Sequence, residues 1–365
     1  MIYIVIAVFI LVVLLYFVIT GQEVFGSDAK GERLKKMQQS QHYKNHQFQN
    51  LSDTPSLAEG YSMPKVMYDF FFKQKNPLLK PLKNIPSVHT DLTSFPKDQD
   101  VFVWLGHSSY YIQTDGVSFL IDPVLSAYGS PFRFVNKAFT GADIFKPEDI
   151  PQLDYLVITH DHYDHLDYPT VKAIKDKVSK VILPLGVGAH LERWGYGPEQ
   201  LIEEDWGGEA DLKNNLRIIF TPARHFSGRK IKRNVTLWTS YVLDTPTRKL
   251  FLGGDSGYDT HFKMIGEKYG PFDYAIIENG QYNEAWKYIH ALPEDVIQAS
   301  IDVNAKNIIP VHSSKFALAL HAWNEPLQKV TTLGKAKNLT VLTPMIGEPL
   351  NLAGASHAFK TWWED

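Results

Sequence analysis

Six consecutive positions, His160-Asp161-His162-Tyr163-Asp164-His165, place three imidazoles and two carboxylates directly behind Thr159. Side chains of these types at this spacing bind metal, and the spacing divides them into two pairs. In an extended segment alternate residues point the same way, which sends His160 and His162 together, while Asp164 and His165 fall where the chain turns. One pair can hold one metal and the other pair its neighbour. Imidazole suits zinc and similar borderline ions, whereas a structural zinc is normally closed by thiolates, and the 365-residue chain has no cysteine. The pattern therefore describes a catalytic binuclear site rather than a structural one, and it is too specific for a loop merely rich in histidine.

The elements that must position these groups are legible around them. Residues 154–159 form a short apolar, β-rich run that reads as a buried strand delivering the histidines into a loop. A binuclear site needs further ligands at the ends of later strands. His225 follows an apolar strand over 216–221, Asp255 follows Leu250-Phe251-Leu252 and two glycines, and His312 ends the run from Asn307. A single His after a strand is more often a hydrogen-bonded structural residue; the common placement of these three groups them with the motif. Upstream, strands over 101–105, 109–113 and 117–122 form a meander whose last two members are joined through Thr114-Asp115-Gly116, a hairpin signal. Beyond the motif come a helix near 168–177 and a strand at 180–183. Further strands are expected at 215–221, 236–243, 248–252, 273–278, 307–311 and 340–343, with helices near 258–268, 293–304 and 324–336. Two similar halves of this kind imply an α/β fold with two sheets packed face to face and helices outside.

Over residues 100–345 the chain resembles the metallo-β-lactamase superfamily. Within it the sequence is most similar to the N-acyl-phosphatidylethanolamine-hydrolysing phospholipase D family. The resemblance is carried by Trp104-Leu105-Gly106-His107-Ser108-Ser109, His162-Tyr163-Asp164-His165-Leu166-Asp167, Pro222-Ala223-Arg224-His225, Gly253-Gly254-Asp255-Ser256-Gly257 and Pro310-Val311-His312. Upstream, Ser40-Gln41-His42-Tyr43 and Phe48-Gln49-Asn50 look like the N-terminal stretch of the same family. Similar stretches around Trp104 occur in the ascorbate-6-phosphate lactonase branch. The resemblance implies a four-layer αββα sandwich over residues 96–365, and two zinc ions. It implies His160, His162 and His225 at the first metal, Asp164, His165 and His312 at the second, and Asp255 bridging, with Asp164 and Asp255 as the catalytic carboxylates. A bridging carboxylate is the pattern of phosphodiesterases, thioesterases and lactonases rather than of the lactamases proper.

Two divalent ions roughly 3.5 to 4 Å apart activate water and neutralise charge on the substrate, so no protein nucleophile is required. None is evident: cysteine is absent and no nucleophile elbow is present. Around this centre His107, by its place in the family pattern, is expected to be a metal-proximal or packing residue. Asp167 is expected to orient a ligand histidine. His290, just before a helix opened by Pro293, can reach the pocket, His321 and Trp323 can form its rim, and Lys315 could hold a phosphate.

Composition sets the outer limits. With 44% hydrophobic and 13% aromatic residues the chain is globular, and 37 basic against 40 acidic residues do not favour a nucleic-acid partner. Residues 1–20 carry no charged side chain and reach about 30 Å as a helix, enough to cross a bilayer core. With no Lys or Arg ahead of the apolar run and no small-x-small site after it, an uncleaved anchor is favoured over a signal peptide. Lys30, Arg33, Lys35 and Lys36 lean the downstream end toward the cytoplasm. Residues 21–95 are expected to be a linker and arm that packs on the core. From Lys30 to Lys83 there are ten basic residues, Lys73 and Lys75 among them, against four acidic ones, a stretch suited to an anionic lipid surface or simply to solubility. Within it Met63, Met67, Tyr68 and Phe70-Phe71-Phe72 either line a lipid-accepting groove or pack the arm onto the catalytic domain. The expectation from sequence is a membrane-anchored two-zinc phosphodiesterase acting on a phospholipid. The alternatives are a lactonase or phosphoesterase for a small soluble substrate, and a metal-containing binding protein without turnover.

Overall fold

The structure, a computed structural model, describes residues 1–72, 76–354 and 358–364. Lys73 and Lys75 of the basic stretch lie outside the described residues. Two seven-stranded mixed sheets form the body. The first runs in the order Pro349–Asn351, Val101–Trp104, Tyr110–Thr114, Val117–Ile121, Leu153–Val157, Val178–Pro184 and Leu201–Glu204. The second runs Thr340–Val341, Ala305–Val311, Phe272–Glu278, Lys249–Leu252, Ser240–Asp244, Arg217–Thr221 and Glu209–Asp211. In each sheet an antiparallel meander leads into parallel strands. The parallel strands all end toward the same cluster of loops, where the histidines lie.

Strand alternation builds the layers. Ile218, Phe220, Tyr241, Leu243, Leu250 and Leu252 share one buried core with Phe119 and Leu156 of the first sheet. The intervening Ile219, Val242 and Phe251 instead join Phe262, Val296 and Val330 of the helices His261–Tyr269, Pro293–Asp302 and Glu325–Ala336. Period-two alternation thus gives the second sheet one face for its partner sheet and one for helices. Each fully buried Phe or Leu contributes roughly 1.5–3 kcal/mol of hydrophobic stabilisation.

The expected hairpin is present: Thr114 pairs with Val117, and Asp115 and Gly116 both take positive φ, 50° and 76°. The expected helix near 168–177 is instead Tyr168–Ala173 followed by a 3-10 turn at Lys175–Lys177. The strand expected over 340–343 is only Thr340–Val341. Strands Leu201–Glu204, Glu209–Asp211 and Pro349–Asn351 and the helix Gly188–Arg193 were not anticipated. The last of these strands carries the chain back to the first sheet, where Leu350 pairs with Phe102, and Trp362 and Trp363 are buried beyond it.

Residues 21–60 do pack on the core, and they are more ordered than a linker. The helix Gly31–Gln39 and a small hairpin place Met37 and Phe48 in a cluster with Leu185, Leu237 and Trp238. Arg33 donates to Glu192 and Glu203 at 2.7 Å, and Lys36 to Glu204 at 2.9 Å, so part of the basic stretch is committed to the protein itself. Ahead of this arm, Ile2–Thr20 is one apolar helix of 19 residues with mean hydropathy 3.3 and none of it buried. An anchor and a signal sequence share that length and composition.

Candidate metal centre

The loop after Leu153–Val157 is fixed at its start by Asp122, which follows the neighbouring strand. The Thr159 amide and hydroxyl both donate to Asp122, at 2.8 and 2.6 Å. Because the Thr159 hydroxyl proton is given to Asp122, its oxygen is left to accept from His160 Nδ1, 3.0 Å away. That leaves His160 Nε2 a bare lone pair facing inward. His225 is held likewise, its Nδ1 donating to the Ile289 carbonyl at 2.8 Å. The two exposed lone pairs converge on His162 Nδ1, at 2.9 Å from His160 Nε2 and 3.2 Å from His225 Nε2. One proton cannot serve three nitrogens this close; a cation can.

A second group adjoins the first. Ligand atoms of His107, Asp164, His165 and His312 lie within 4.8 Å of one another. His165 Nδ1 is oriented by Asp122 at 2.8 Å, which turns its Nε2 to Asp255 Oδ2 at 3.1 Å and Asp164 Oδ2 at 3.7 Å. Asp255 stands between the groups: Oδ2 is 3.9 Å from His160 Nε2 and 3.8 Å from His225 Nε2, while Oδ1 is 3.1 Å from His312 Nδ1. His312 Nε2, Asp255 Oδ1 and His107 Nδ1 are buried with no hydrogen-bond partner among the described residues. Buried polar atoms without partners are costly, and cations at these two groups would satisfy His312 Nε2 and Asp255 Oδ1. The donor set of imidazole and carboxylate fits divalent zinc.

The backbone is shaped for this convergence. His107, Asp122 and His312 all sit in the left-handed region, at φ 54°, 42° and 68°. Such strain concentrates at functional sites. Gly254, at φ 62°, lets the Asp255 turn approach the metal loop, since a Cβ there would lie 3.0 Å from both Thr159 Cβ and Thr239 O.

Electrostatics prepares the donors. Burial, reinforced by neighbouring imidazoles, holds His160, His225 and His312 well below the usual histidine range. Burial likewise lowers His162 to about 4, despite Asp164 and Asp161. These rings are neutral at pH 7, as metal ligation requires. Burial also disfavours charge on His165, but Asp255 and Asp164 outweigh it and push that ring well above its ordinary value. Burial raises Asp255 to about 7. A cation entering the centre displaces the protons held there.

The surrounding candidates fall in different places. His107 lies among the donors, its Nε2 3.0 Å from Asp164 Oδ2. His290 reaches the cleft, with Nδ1 3.1 Å from Glu278 Oε2 and 4.0 Å from Asp255 Oδ2. Asp167 touches no histidine among the described residues: it accepts from the hydroxyls of Ser126 and Thr170 at the start of the helix Tyr168–Ala173. The orienting role expected of it is taken by Asp122. His321 does not line the cleft, and both ring nitrogens are committed to backbone, Nε2 accepting from Gln281 N and Nδ1 donating to Ala322 O, each at 2.8 Å. Lys315 is buried and donates to Val124 O at 2.8 Å, so it offers nothing to a phosphate.

Three contributors escaped sequence reasoning. Asp122 ends an apolar strand as Asp255 and His312 nearly do, and that placement was the available signal. Glu278, also at a strand end, is buried and accepts from Ser256 N, Ala291 N and His290. Asn50 of the arm clasps His225, accepting from its amide at 3.1 Å and donating to its carbonyl at 2.8 Å. Since Asp122 orients His160 through Thr159 and His165 directly, Asp122→Asn is expected to weaken zinc binding about 10- to 100-fold. Competition titration against a chromophoric chelator measures this, and unchanged affinity would refute the role.

A cleft of ≈ 280 Å³ opens onto these residues, its floor including His162, Asp164, Asp255, His290 and His312. Leu57, Met63, Val66, Trp286, Ile289 and Leu318 form apolar walls. Arg233 is the one Lys or Arg among the described lining residues; it lies over the Phe226 ring, 4.8 Å from its centre, and has no ion-pair partner among the described residues. Met63 and Val66 come from the arm helix Met63–Phe71, whose Met67, Tyr68 and Phe71 remain exposed, as does Phe72. Met67, Tyr68, Phe71 and Phe72 therefore do not pack the arm onto the core, whereas Phe70 is half-buried.

Residues 118–313 match the family model of the β-lactamase superfamily domain. The chain belongs to the metallo-β-lactamase superfamily and is a metal-dependent hydrolase of that fold. Among its relatives are an uncharacterised protein of Mycobacterium tuberculosis, 33% identical over 93% of this chain and 91% of the relative, and N-acyl-phosphatidylethanolamine-hydrolyzing phospholipase D 1 of Caenorhabditis elegans, 31% identical over 72% and 79%. Among solved structures, the metallo hydrolase Igni18 of Ignicoccus hospitalis aligns with a TM-score of 0.53 at 24% identity, covering 69% of this chain and 98% of its own. The diiron β-hydroxylase CmlA of Streptomyces venezuelae aligns at 0.52 and 18%, covering 70% and 55%. Both share the fold.

Proposed function

We propose that this protein is a membrane-anchored two-zinc phosphodiesterase of phospholipase D type, acting on N-acyl-phosphatidylethanolamine or a related phospholipid. Its fold is then the four-layer αββα sandwich, with His160, His162 and His225 holding one ion, Asp164, His165 and His312 the other, and Asp255 bridging. The observation that carries the reading is the make-up of the cleft: acid and imidazole donors on the floor, one unpaired arginine, and apolar walls partly built by a helix that exposes Met67, Tyr68 and Phe71. That is a receptacle for an anionic headgroup attached to acyl chains. The 31% identity to the C. elegans phospholipase D supports the same substrate class.

When bound, two zinc ions lower the pKa of water and neutralise the charge that builds on phosphorus oxygens. The protein's own groups do the rest. Asp122 and the Ile289 carbonyl keep the donor rings in the ligating tautomer, Arg233 draws the phosphate toward the floor, and Met63, Val66 and Trp286 keep water from the acyl side. Hydrolysis on the leaving-alcohol side of phosphorus gives phosphatidic acid and an N-acylethanolamine. Mass spectrometry of mixed micelles containing the N-acylated lipid is expected to detect both; rapid lactone opening with no phosphatidic acid, at matched enzyme and metal, would place the protein with the lactonases instead.

The anchor in this reading is Ile2–Thr20, with the catalytic body on the cytoplasmic side. Removing residues 1–20, which leaves the docked arm intact, is expected to release a soluble, metal-loaded enzyme that still hydrolyses bis-p-nitrophenyl phosphate. Retention of that shortened protein in a carbonate-washed membrane pellet would contradict a single anchor.

A further inference from the structure

The metal loop is secured at its start by Asp122 and at its far side by a residue from a distant loop. Arg229 is buried, and four of its N–H groups point at three carbonyls. Nη1 donates to Asp161 O at 2.8 Å and to Leu166 O at 2.7 Å, the carbonyls that bracket His162, Asp164 and His165. Nη2 and Nε donate to Val24 O, at 2.7 and 3.2 Å. No carboxylate lies within ion-pair distance of this guanidinium among the described residues. Its charge is instead sandwiched by the Tyr163 ring, 4.1 Å away, and the Trp194 ring at 5.3 Å. Tyr163 belongs to the metal loop, and its hydroxyl donates back to Arg229 O at 2.6 Å.

Val24 lies in the turn Glu23–Phe25, which begins within three residues of the end of the apolar helix. The turn is seated by Trp194 Nε1 donating to Glu23 O at 2.8 Å, and Phe25 packs edge-on against Tyr163 with ring centres 6.2 Å apart. One side chain thus binds the membrane-proximal turn and both ends of the metal-donor span. Arginine suits the task because its planar fork presents five donors in fixed directions, which lysine cannot reproduce.

We propose that Arg229 is a positioning residue for the metal loop, and that it acts jointly with the membrane-proximal turn, so that the seating of residues 23–25 sets the affinity of the centre for metal. The inference rests on the metal assignment given above. Loss of the guanidinium leaves the Asp161 and Leu166 carbonyls without donors, and the loop must pay by moving toward water. The catalytic groups themselves are untouched.

The test uses the full-length chain in detergent micelles, with Arg229→Gln, Arg229→Lys, Phe25→Ala and the double variant Arg229→Gln/Phe25→Ala. Two readouts are taken: amide hydrogen exchange of residues 160–166 in metal-free protein, and zinc affinity by chelator competition. Arg229→Gln is expected to speed loop exchange and weaken zinc about tenfold or more, with exchange in the strand Phe272–Glu278 unchanged. Arg229→Lys should recover part of both losses, and Phe25→Ala should produce a smaller loss of the same kind. The double variant should lose less than the sum of the two single losses, since the turn acts in part through that side chain and in part through Phe25 against Tyr163. Wild-type loop exchange and zinc affinity in Arg229→Gln would overturn the proposal, and so would losses that simply add in the double variant. If Arg229→Gln unfolds, as exchange in Phe272–Glu278 would reveal, Arg229→Lys with Phe25→Ala carries the same comparison. A parent chain that binds no zinc would overturn the metal assignment, while the exchange experiment still decides the role of Arg229.

Discussion

An Asp255→Ala chain is expected to fold, to bind fewer than two zinc ions where the parent binds close to two, and to lose about 1000-fold or more in kcat/KM on bis-p-nitrophenyl phosphate. The size follows from charge: clamping a substrate oxygen between two cations is worth several kcal/mol, and each 1.36 kcal/mol is tenfold in rate. Asp255 lies within 4.0 Å of donors from both groups, so its loss affects both ions together. The fold should persist because the carboxylate is a burden to the bare protein; burial raises both Asp255 and its neighbour Glu278. Elemental analysis, thermal unfolding and steady-state kinetics together test this. Two tightly held zinc ions with parental turnover would remove the bridging role.

His225→Ala and His312→Ala are each expected to leave about one zinc per chain and to lower activity about 100-fold or more, but to do so at different ions. His225 Nε2 faces His160 and His162, whereas His312 lies with Asp164, His165 and His107. Copper and nickel compete well for imidazole sites, so the measurement belongs on protein stripped by chelator and reloaded with zinc. Cobalt substitution then distinguishes the vacant site by its absorption spectrum. Retention of both ions at full rate in His312→Ala would undo the assignment of the second site.

The residues that the sequence disclosed are those whose type is unusual where they stand. A histidine after an apolar strand is conspicuous, and His160, His162, His165, His225 and His312 do meet in space. Asp122 and Glu278 occupy similar strand ends, but a carboxylate at the end of a strand is ordinary in type, and only its buried contacts reveal its use. Adjacency to the motif suggests an orienting task for Asp167; the turn at His162–Leu166 instead aims it at Thr170. Asn50 and Arg229 act across 175 and as many as 205 residues, separations that no local pattern encodes. The central strands were legible because apolar runs bounded by turns are strong signals. Pro349–Asn351 was not, since three residues opened by proline carry no periodicity.

That short strand imposes an order on how the molecule can be made. Val101–Trp104 is buried along its whole length, yet among the described residues one of its two edges is paired by the short segment of residues 347–352. While the nascent chain is still emerging, that edge has no partner, and an apolar strand edge left open invites pairing with other chains. The site histidines up to His312 are synthesised before the segment that closes the sheet beneath them. The edge of Val101–Trp104 therefore stays open until residues 347–352 have left the ribosome, after the site histidines themselves have been made.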